Sequence, residues 1–523
     1  MLISKKHKKL VFNLKEPTRI TAVIPTAKTL VHKGVTLVAV PHKLEEVRVL
    51  RNLGFDVPAP MGYYYDWPGR YKPYAHQQIT SEFLTVNPRA FCLNGMGSGK
   101  TISVLWSFDY LKKLGLVNRM LIISPLSTLE RAWGDEIFRH FPDLSFTVLH
   151  GDRPKRHKLL ANDFDIYIIN HDGIKAEATK KLLASREGLD LIVIDEIASF
   201  RNGSTDRWKA LNYIVNGHEK EGIKPKEWVW GLTGTPTPNL PTDAWAQCRL
   251  INPSRVAKYF GQFRDSVMKP AGGPYKFVAR DGATELVKHA MQPAVRFARE
   301  DCIDLPPTTY VTRQTTLTPD QTKAFNSMLK QLRAEHEGGQ ILAVNEAVKM
   351  SKLLQICCGC AYVDGGEVLI PATPRIELVK EIIEEAEGKV LVFVPLTGAL
   401  KQIAAELSKT YSVAVVHGET SKTQRDTIFK EFQQLKTPRV LVANPGTLAH
   451  GLTLTAANTV IWFAPIFSNE TYQQACARVT RPGQKRNTLI VNIEATNMEQ
   501  KIYAKLQGKQ KMQGLLLDLL KEG

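Results

Sequence analysis

The sequence predicts an α/β protein in which two lobes, each a parallel sheet covered by helices, follow a small basic α+β unit. Three observations carry that expectation. From Tyr71 onward, continuous apolar runs alternate with helical patterns: LIISP (121–125), IYIIN (166–170), LIVIDE (191–196) and WVWGLTGT (228–235). Such runs are what strands buried on both faces require. A second series starts near Val390 with VLVFVP, SVAVVHG, RVLVANP, NTVIWFAP and TLIVNIEA. Finally, charge is uneven. The 523-residue chain carries 69 Lys and Arg against 51 Asp and Glu, a net +18, and residues 1–50 alone hold ten Lys or Arg against three Glu. The predicted boundaries are 1–70, 71–308 and 309–523.

In the first unit, apolar stretches at Ile20–Ile24 and Val35–Val40 precede a helix from about His42 that puts Leu44, Val47 and Leu50 on one face and stops at Gly54. The run MGYYYDWPGR (61–70) places Tyr63, Tyr65 and Trp67 beside Arg70. Those rings suit either base stacking or packing at a domain joint.

The lobe that follows opens on FCLNGMGSGKT (91–101), an apolar strand running into a glycine-rich turn that ends in Lys-Thr. Backbone N–H groups converge on an anion only where no Cβ intervenes, so Gly95, Gly97 and Gly99, with Met96 and Ser98 between them, form a phosphate cradle. Lys100 would reach the β- and γ-phosphates and Thr101 would offer a hydroxyl to Mg²⁺, with the helix dipole behind them. The full pattern wants a glycine where this chain has Asn94. In open α/β sheets ligands bind at the carboxyl ends of strands, and there, after LIVI, stand Asp195 and Glu196. One carboxylate suits a cation and the other an attacking water. The later series has no such loop. It offers QQACARVTRPGQKR, with Arg478 and Arg481 three apart on an expected helical face, able to stabilise charge on a transferring phosphate.

Composition excludes several classes. No apolar run approaches the ~18 residues of a membrane span, so the expected location is the cytoplasm, with no membrane partner. Seven cysteines, an odd number and mostly scattered, suit a reducing compartment. Cys357, Cys358 and Cys360 cluster without a second ligand pair, so they read as buried thiols rather than a metal site. The basic excess calls for a polyanion, of which nucleic acid is the commonest.

In order, NGMGSGKT, DEIA, LTGTPTPN and QACARVTRPGQ resemble motifs I, II, III and VI of the superfamily-two helicases, and among them the Swi/Snf-type DNA translocases, over roughly residues 70 to 505. AHQQ resembles the glutamine motif, SPLSTLERAW motif Ia, INHDG motif Ib and NPGTLAHGLTL motif V. The resemblance implies two RecA-like lobes, ATP and Mg²⁺ as cofactors, and duplex, forked or branched DNA as the track of a monomeric ATP hydrolase, close to compact bacteriophage-encoded forms. RNA, as in an RNA helicase or polymerase-recycling ATPase, is the alternative polymer, and an ATP-switched DNA clamp the alternative mechanism.

By the same resemblance Gln77 reads adenine and Gly451 joins the nucleotide-binding set. Asp195 holds the metal with Thr101, Glu196 activates water, and Arg481 is the arginine finger with Arg478 in support. Thr233 and Thr235 report the nucleotide state to the DNA track, while Ser124, His171 and Thr447 face the phosphodiester backbone. The chain departs from the pattern at Ala198, where the family usually carries a histidine that connects ATP to motif III. Because the motor motifs all follow Tyr71, residues 1–70 are expected to select branched DNA and to be removable without unfolding the ATPase.

Overall fold

The computed structural model describes residues 1–508 apart from 33, 238–239, 272–276, 299–301, 303–305, 338–342, 364–365, 449–452 and 482, with side chains also left aside at 127, 131, 153, 332–337, 343–347 and 363. It divides into two compact units, Met1–Cys302 and Ile303–Gly523.

The first unit begins with an antiparallel sheet of β1 (Leu2–Ser4), β2 (Lys9–Asn13), β3 (Lys28–His32) and β4 (Val35–Pro41), ordered β1-β2-β4-β3. The predicted helix spans Leu44–Asn52, buries Leu44, Val47 and Leu50, and stops as Gly54 takes φ +87°. Here the sequence expectation of a removable unit fails. One hydrophobic cluster runs from Leu10, Phe12, Val38 and Leu50 into Trp106, Trp230 and Val295, and Arg48 lies over the Trp228 ring at 4.9 Å while its Nε donates to the Val86 carbonyl at 2.8 Å. The YYYDW run also resolves toward packing. Tyr65 is 8% exposed and donates to Asp109 Oδ2 at 2.6 Å, and Trp67 packs edge-on against buried Trp106 at 5.6 Å. Burying rings of this size dominates local stability, so residues 1–70 belong to the core of this unit.

The large sheet of the unit contains, among the described residues, β5 (Arg89–Cys92), β6 (Arg119–Ser124), β7 (Phe146–Val148), β8 (Ile166–Asn170), β9 (Leu189–Asp195), β10 (Trp228–Leu232) and β13 (Ala294–Val295), all parallel, in the order β13-β5-β10-β9-β6-β8-β7. A two-stranded ribbon, β11 (Met268–Pro270) with β12 (Phe277–Ala279), lies apart from it. β6, β9 and β10 are buried almost throughout, which explains why they read as unbroken apolar runs.

The second unit repeats the plan. Its parallel sheet is ordered β14-β21-β20-β17-β19-β18, from β14 (Thr308–Gln314), β17 (Lys389–Phe393), β18 (Val413–Val416), β19 (Val440–Ala443), β20 (Ala457–Trp462) and β21 (Thr488–Glu494). A hairpin of β15 (Cys360–Val363) and β16 (Gly366–Leu369) stands beside it. Cys357, Cys358 and Cys360 are buried in this unit's hydrophobic cluster, and the Cys360 thiol donates to Glu367 Oε1 at 2.7 Å.

Candidate nucleotide site

Sheet order assembles the site. The ends of β5, β10, β9, β6 and β8 are consecutive, so the glycine turn, Thr233, Asp195 with Glu196, Ser124 and His171 fall side by side along one carboxyl edge.

After β5 the chain turns through Asn94–Gly99 into the helix Lys100–Lys113, with φ near +80° at Gly97 and Gly99. Gly99 is fixed twice over, because a Cβ there would also stand 2.2 Å from Gln77 Nε2. Asn94, at the position where the pattern wants glycine, is 1% exposed and works as a clamp. Its Nδ2 donates to Thr80 Oγ1 at 2.8 Å and its Oδ1 accepts from the Phe297 N–H at 2.9 Å. Lys100 Nζ donates to the Asn94 and Gly95 carbonyls at 2.9 and 3.1 Å, two of its three donors. Ser98 Oγ is buried and has no hydrogen-bond partner among the described residues. An orphan hydroxyl beside a lysine, inside a turn of freed N–H groups, fits a phosphate chain. Thr101, half-buried, is the second residue of the helix. Met96 lies against motif III, where a Cβ on Gly234 would be 3.5 Å from Met96 Cγ.

Gln77 has both ends of its amide engaged on the protein. Oε1 accepts from the Tyr74 N–H at 3.0 Å, and Nε2 donates to the Ser98 carbonyl at 3.2 Å, which also accepts from His76 Nε2 at 2.9 Å. In this structure Gln77 braces the glycine turn, and the exposed ring nearby belongs to Tyr74, stacked on His76.

The carboxylates are held by side chains expected elsewhere. Asp195 Oδ2 accepts from Ser124 Oγ at 2.8 Å and from Trp133 Nε1 at 3.0 Å, and the Asp195 carbonyl accepts from His171 Nε2 at 2.9 Å. Glu196 takes the left-handed conformation, φ 52° and ψ 54°, which costs a non-glycine residue on the order of 1 kcal/mol and marks sites where geometry is imposed. Its Oε1 accepts from Thr233 Oγ1 at 2.6 Å, and Thr233 Oγ1 accepts from the half-buried Thr235's N–H at 3.2 Å. Ser124 and Thr233 are 0% exposed and His171 is 7% exposed. Ser124 and Thr233 therefore turn their hydroxyls to the carboxylates, and His171 its Nε2 to the Asp195 main-chain carbonyl, rather than outward to a phosphodiester backbone. Burial pushes the His171 imidazole below its ordinary pKa, against the opposing pull of its Asp195 contacts. Ala198 is buried, and the direct Thr233–Glu196 contact makes the motif II to III connection without a histidine.

In the second unit the helix covers Asn469–Cys476, so Arg478 and Arg481 lie in the turn beyond it and not on a helical face as expected. Turn bonds from Arg478 N to the Ala475 carbonyl and from Gln484 N to the Arg481 carbonyl replace the helical ladder, consistent with Pro482 next in sequence. Arg478 is 7% exposed and its Nε has no partner among the described residues. Burial, with the Arg481 charge adding, pushes its guanidinium down to about 9. Thr447 is half-buried and donates to the Asn444 carbonyl at 2.7 Å, while Gly451 lies outside the described residues.

A parallel sheet with a phosphate-binding turn, strand-end carboxylates and a second parallel-sheet unit bearing paired arginines defines a P-loop ATPase of the helicase kind. Comparison with known proteins makes this specific. The SNF2-related domain matches residues 91–361 and the helicase conserved C-terminal domain residues 374–483. The chain belongs to the SNF2-related family of ATP-dependent helicases and translocases. It is 26% identical to YwqA of Bacillus subtilis, named as an ATP-dependent helicase/translocase, over 82% of this chain and 46% of that protein. Protein p41 of Acyrthosiphon pisum secondary endosymbiont phage 1 is 24% identical over 86% of this chain and 98% of its own length. The ATP-dependent DNA helicase DDM1 of Arabidopsis thaliana is 23% identical over 81% and 58%. The chain thus spans less than two thirds of YwqA and DDM1. Among solved structures, the Sulfolobus solfataricus SWI2/SNF2 ATPase core in complex with dsDNA is 24% identical, with TM-score 0.42 over 90% of this chain and 96% of that one. No helix among the described residues is long and apolar enough to cross a membrane.

Proposed function

We propose that this protein couples ATP hydrolysis to movement along double-stranded or branched DNA. The observation that carries the reading is the alignment of the glycine turn, Thr233, Asp195–Glu196, Ser124 and His171 on consecutive strand ends. Lys100 binds the β- and γ-phosphates. Thr101 and Asp195 would hold Mg²⁺, which when bound neutralises phosphate charge. Glu196, oriented by Thr233, takes a proton from the attacking water, and Arg481 with Arg478 stabilises charge on the transferred phosphoryl group. ATP turnover measured in parallel with single-stranded DNA, duplex, forked DNA and RNA tests this: duplex or forked DNA should stimulate most. Stimulation by RNA alone would replace DNA as the track, and binding to DNA without directional movement would make the protein a clamp.

Selection of branched DNA we assign to the basic face of residues 1–70. The turn between β1 and β2 holds Lys5, Lys6, His7 and Lys8, all exposed. Lys5 and Lys8 lie over the rings of Tyr63 and Tyr64 at 5.4 and 5.3 Å, contacts that restrain the loop for phosphate binding. Because this region shares its core with the ATPase sheet, charge reversal is a better test than deletion. Changing Lys5, Lys6 and Lys8 to Glu should leave turnover at saturating DNA intact and remove the preference for forks over linear duplex. It should also flatten the salt dependence by ~0.9 log unit per lost contact. An unchanged preference and slope would move fork recognition elsewhere.

A further inference from the structure

The metal-side carboxylate is tied to the segment after β6 by two side chains that the family resemblance did not assign to it. Past Ser124 the chain makes a tight turn over Leu126–Thr128 and then a π-helical turn, Leu129–Gly134. Such turns are rare and concentrate at functional sites. This one brings Trp133, 0% exposed, to Asp195, and its indole N–H meets the same oxygen that accepts the Ser124 hydroxyl. Ser124 Oγ is in turn 2.6 Å from Thr128 Oγ1, which stands 2.8 Å from the Pro125 carbonyl. A hydroxyl has one proton to give. With Ser124's directed to the carboxylate, Thr128 chooses between Ser124 and the Pro125 carbonyl, and the shape of the turn decides which. Leu126, within that turn, is 72% exposed. A shape change at this exposed turn would therefore alter what Ser124 Oγ accepts and, through the π-helical turn that follows, the placing of the Trp133 indole, the two groups that donate to Asp195 Oδ2.

We propose that Ser124 and Trp133 are positioning residues. They hold Asp195 by Oδ2, leave Oδ1 for a divalent cation, and make that hold sensitive to nucleic acid pressing on the turn at 125–128. This gives the chain a route from track to nucleotide that does not pass through residue 198, an alanine here. The inference rests on the role proposed above for Asp195.

The test is Mn²⁺ binding to the full chain, read by electron paramagnetic resonance with a non-hydrolysable ATP analogue, with and without duplex DNA. In the unsubstituted protein DNA should shift Mn²⁺ affinity. Trp133→Phe, which keeps the ring and loses the N–H, should weaken Mn²⁺ by about 10- to 100-fold, the scale of one charge-assisted hydrogen bond, and abolish the DNA-dependent shift. It should also lower the ratio of DNA-stimulated to basal ATP turnover. Ser124→Ala reads the same quantities should the indole change unfold the protein. If Asp195→Asn weakens Mn²⁺ while both variants bind it as the unsubstituted protein does and keep the DNA-dependent shift, Ser124 and Trp133 are packing residues only. If Asp195→Asn itself leaves Mn²⁺ binding unchanged, the metal role of Asp195 falls, and this inference with it.

Discussion

Asp195 in the first unit, half-buried, and Arg478 in the second, buried, are both charged groups drawn out of water, and they are handled in opposite ways. The carboxylate accepts from a hydroxyl and an indole on one oxygen, and a third donor braces its backbone. The guanidinium is as buried as His171, yet its Nε has no partner among the described residues and Arg481 adds like charge. Burying a charge is costly unless it is paired and hydrogen-bonded. The first arrangement is a finished scaffold that the unit completes from its own strand ends and the turns that follow them. The second keeps an electrostatic cost in place, the pattern that perturbed groups at functional sites share with strained ion networks.

The sharpest way to break this comparison is to remove the chemistry from each side. Lys100→Ala and Glu196→Gln should both abolish turnover in a steady-state phosphate-release assay. Only Glu196→Gln should retain tight ATP binding, since it keeps shape and loses the base. Arg481→Ala should slow turnover by ~10³ to 10⁵, the range of an arginine finger, with nucleotide affinity nearly unchanged. Retention of more than about a tenth of the rate would remove Arg481 from that role.

A smaller effect is expected from Thr233→Val, which preserves shape and deletes the donor to Glu196. Hydrogen bonds to charged groups contribute about 1.5–3 kcal/mol, so turnover should fall by about 10- to 100-fold with little change in ATP affinity. Arg478→Met inverts the usual expectation for a core change. Replacing an uncompensated buried charge by an apolar side chain should stabilise the second unit, by about 1–3 kcal/mol in denaturant unfolding, while turnover drops. If it destabilises instead, Arg478 is a structural residue.

The sequence was readable where chemistry needs a local pattern. The buried strands, the glycine turn, the strand-end carboxylates and the helix stop at Gly54 all announce themselves within a few residues. The strand Lys28–His32 did not, because every residue of this edge strand is exposed and no alternation of burial marks it. Contacts between distant strand ends were illegible for another reason. Trp133 is 62 residues from Asp195 and Ser124 is 71, and no spacing indicates that sheet order will bring them together. Ser124, a polar residue at a strand end, suggested an outward contact, whereas adjacency turned it onto the Asp195 carboxylate. Asn94 likewise looked like a defect in the phosphate loop until Thr80 and the Phe297 amide became its partners.

The smallest prediction separates the two ways of tolerating a buried base. Arg478, with its guanidinium near 9, remains charged at neutral pH. His171, 7% exposed, has a pKa lowered from its ordinary 6.5 chiefly by burial, so the folded protein prefers it neutral. As pH falls through 6.5, the unfolded chain takes up a proton that the folded chain still refuses. Protons bound in the unfolded state then exceed those in the native state, so stability rises with pH across this window. The contribution is full above the ordinary value and is lost progressively below it, until the lowered folded value is passed. Each unit of depression is worth about 1.4 kcal/mol. His171→Asn keeps an amide donor for the Asp195 carbonyl and does not titrate. Urea unfolding between pH 7.5 and about 5, the span over which an unperturbed histidine changes charge, should show the parent losing stability faster than His171→Asn. Parallel pH profiles for the two proteins would mean that the fold does not resist protonating His171, so that below 6.5 the first unit carries its own buried cation and the contrast with Arg478 is lost.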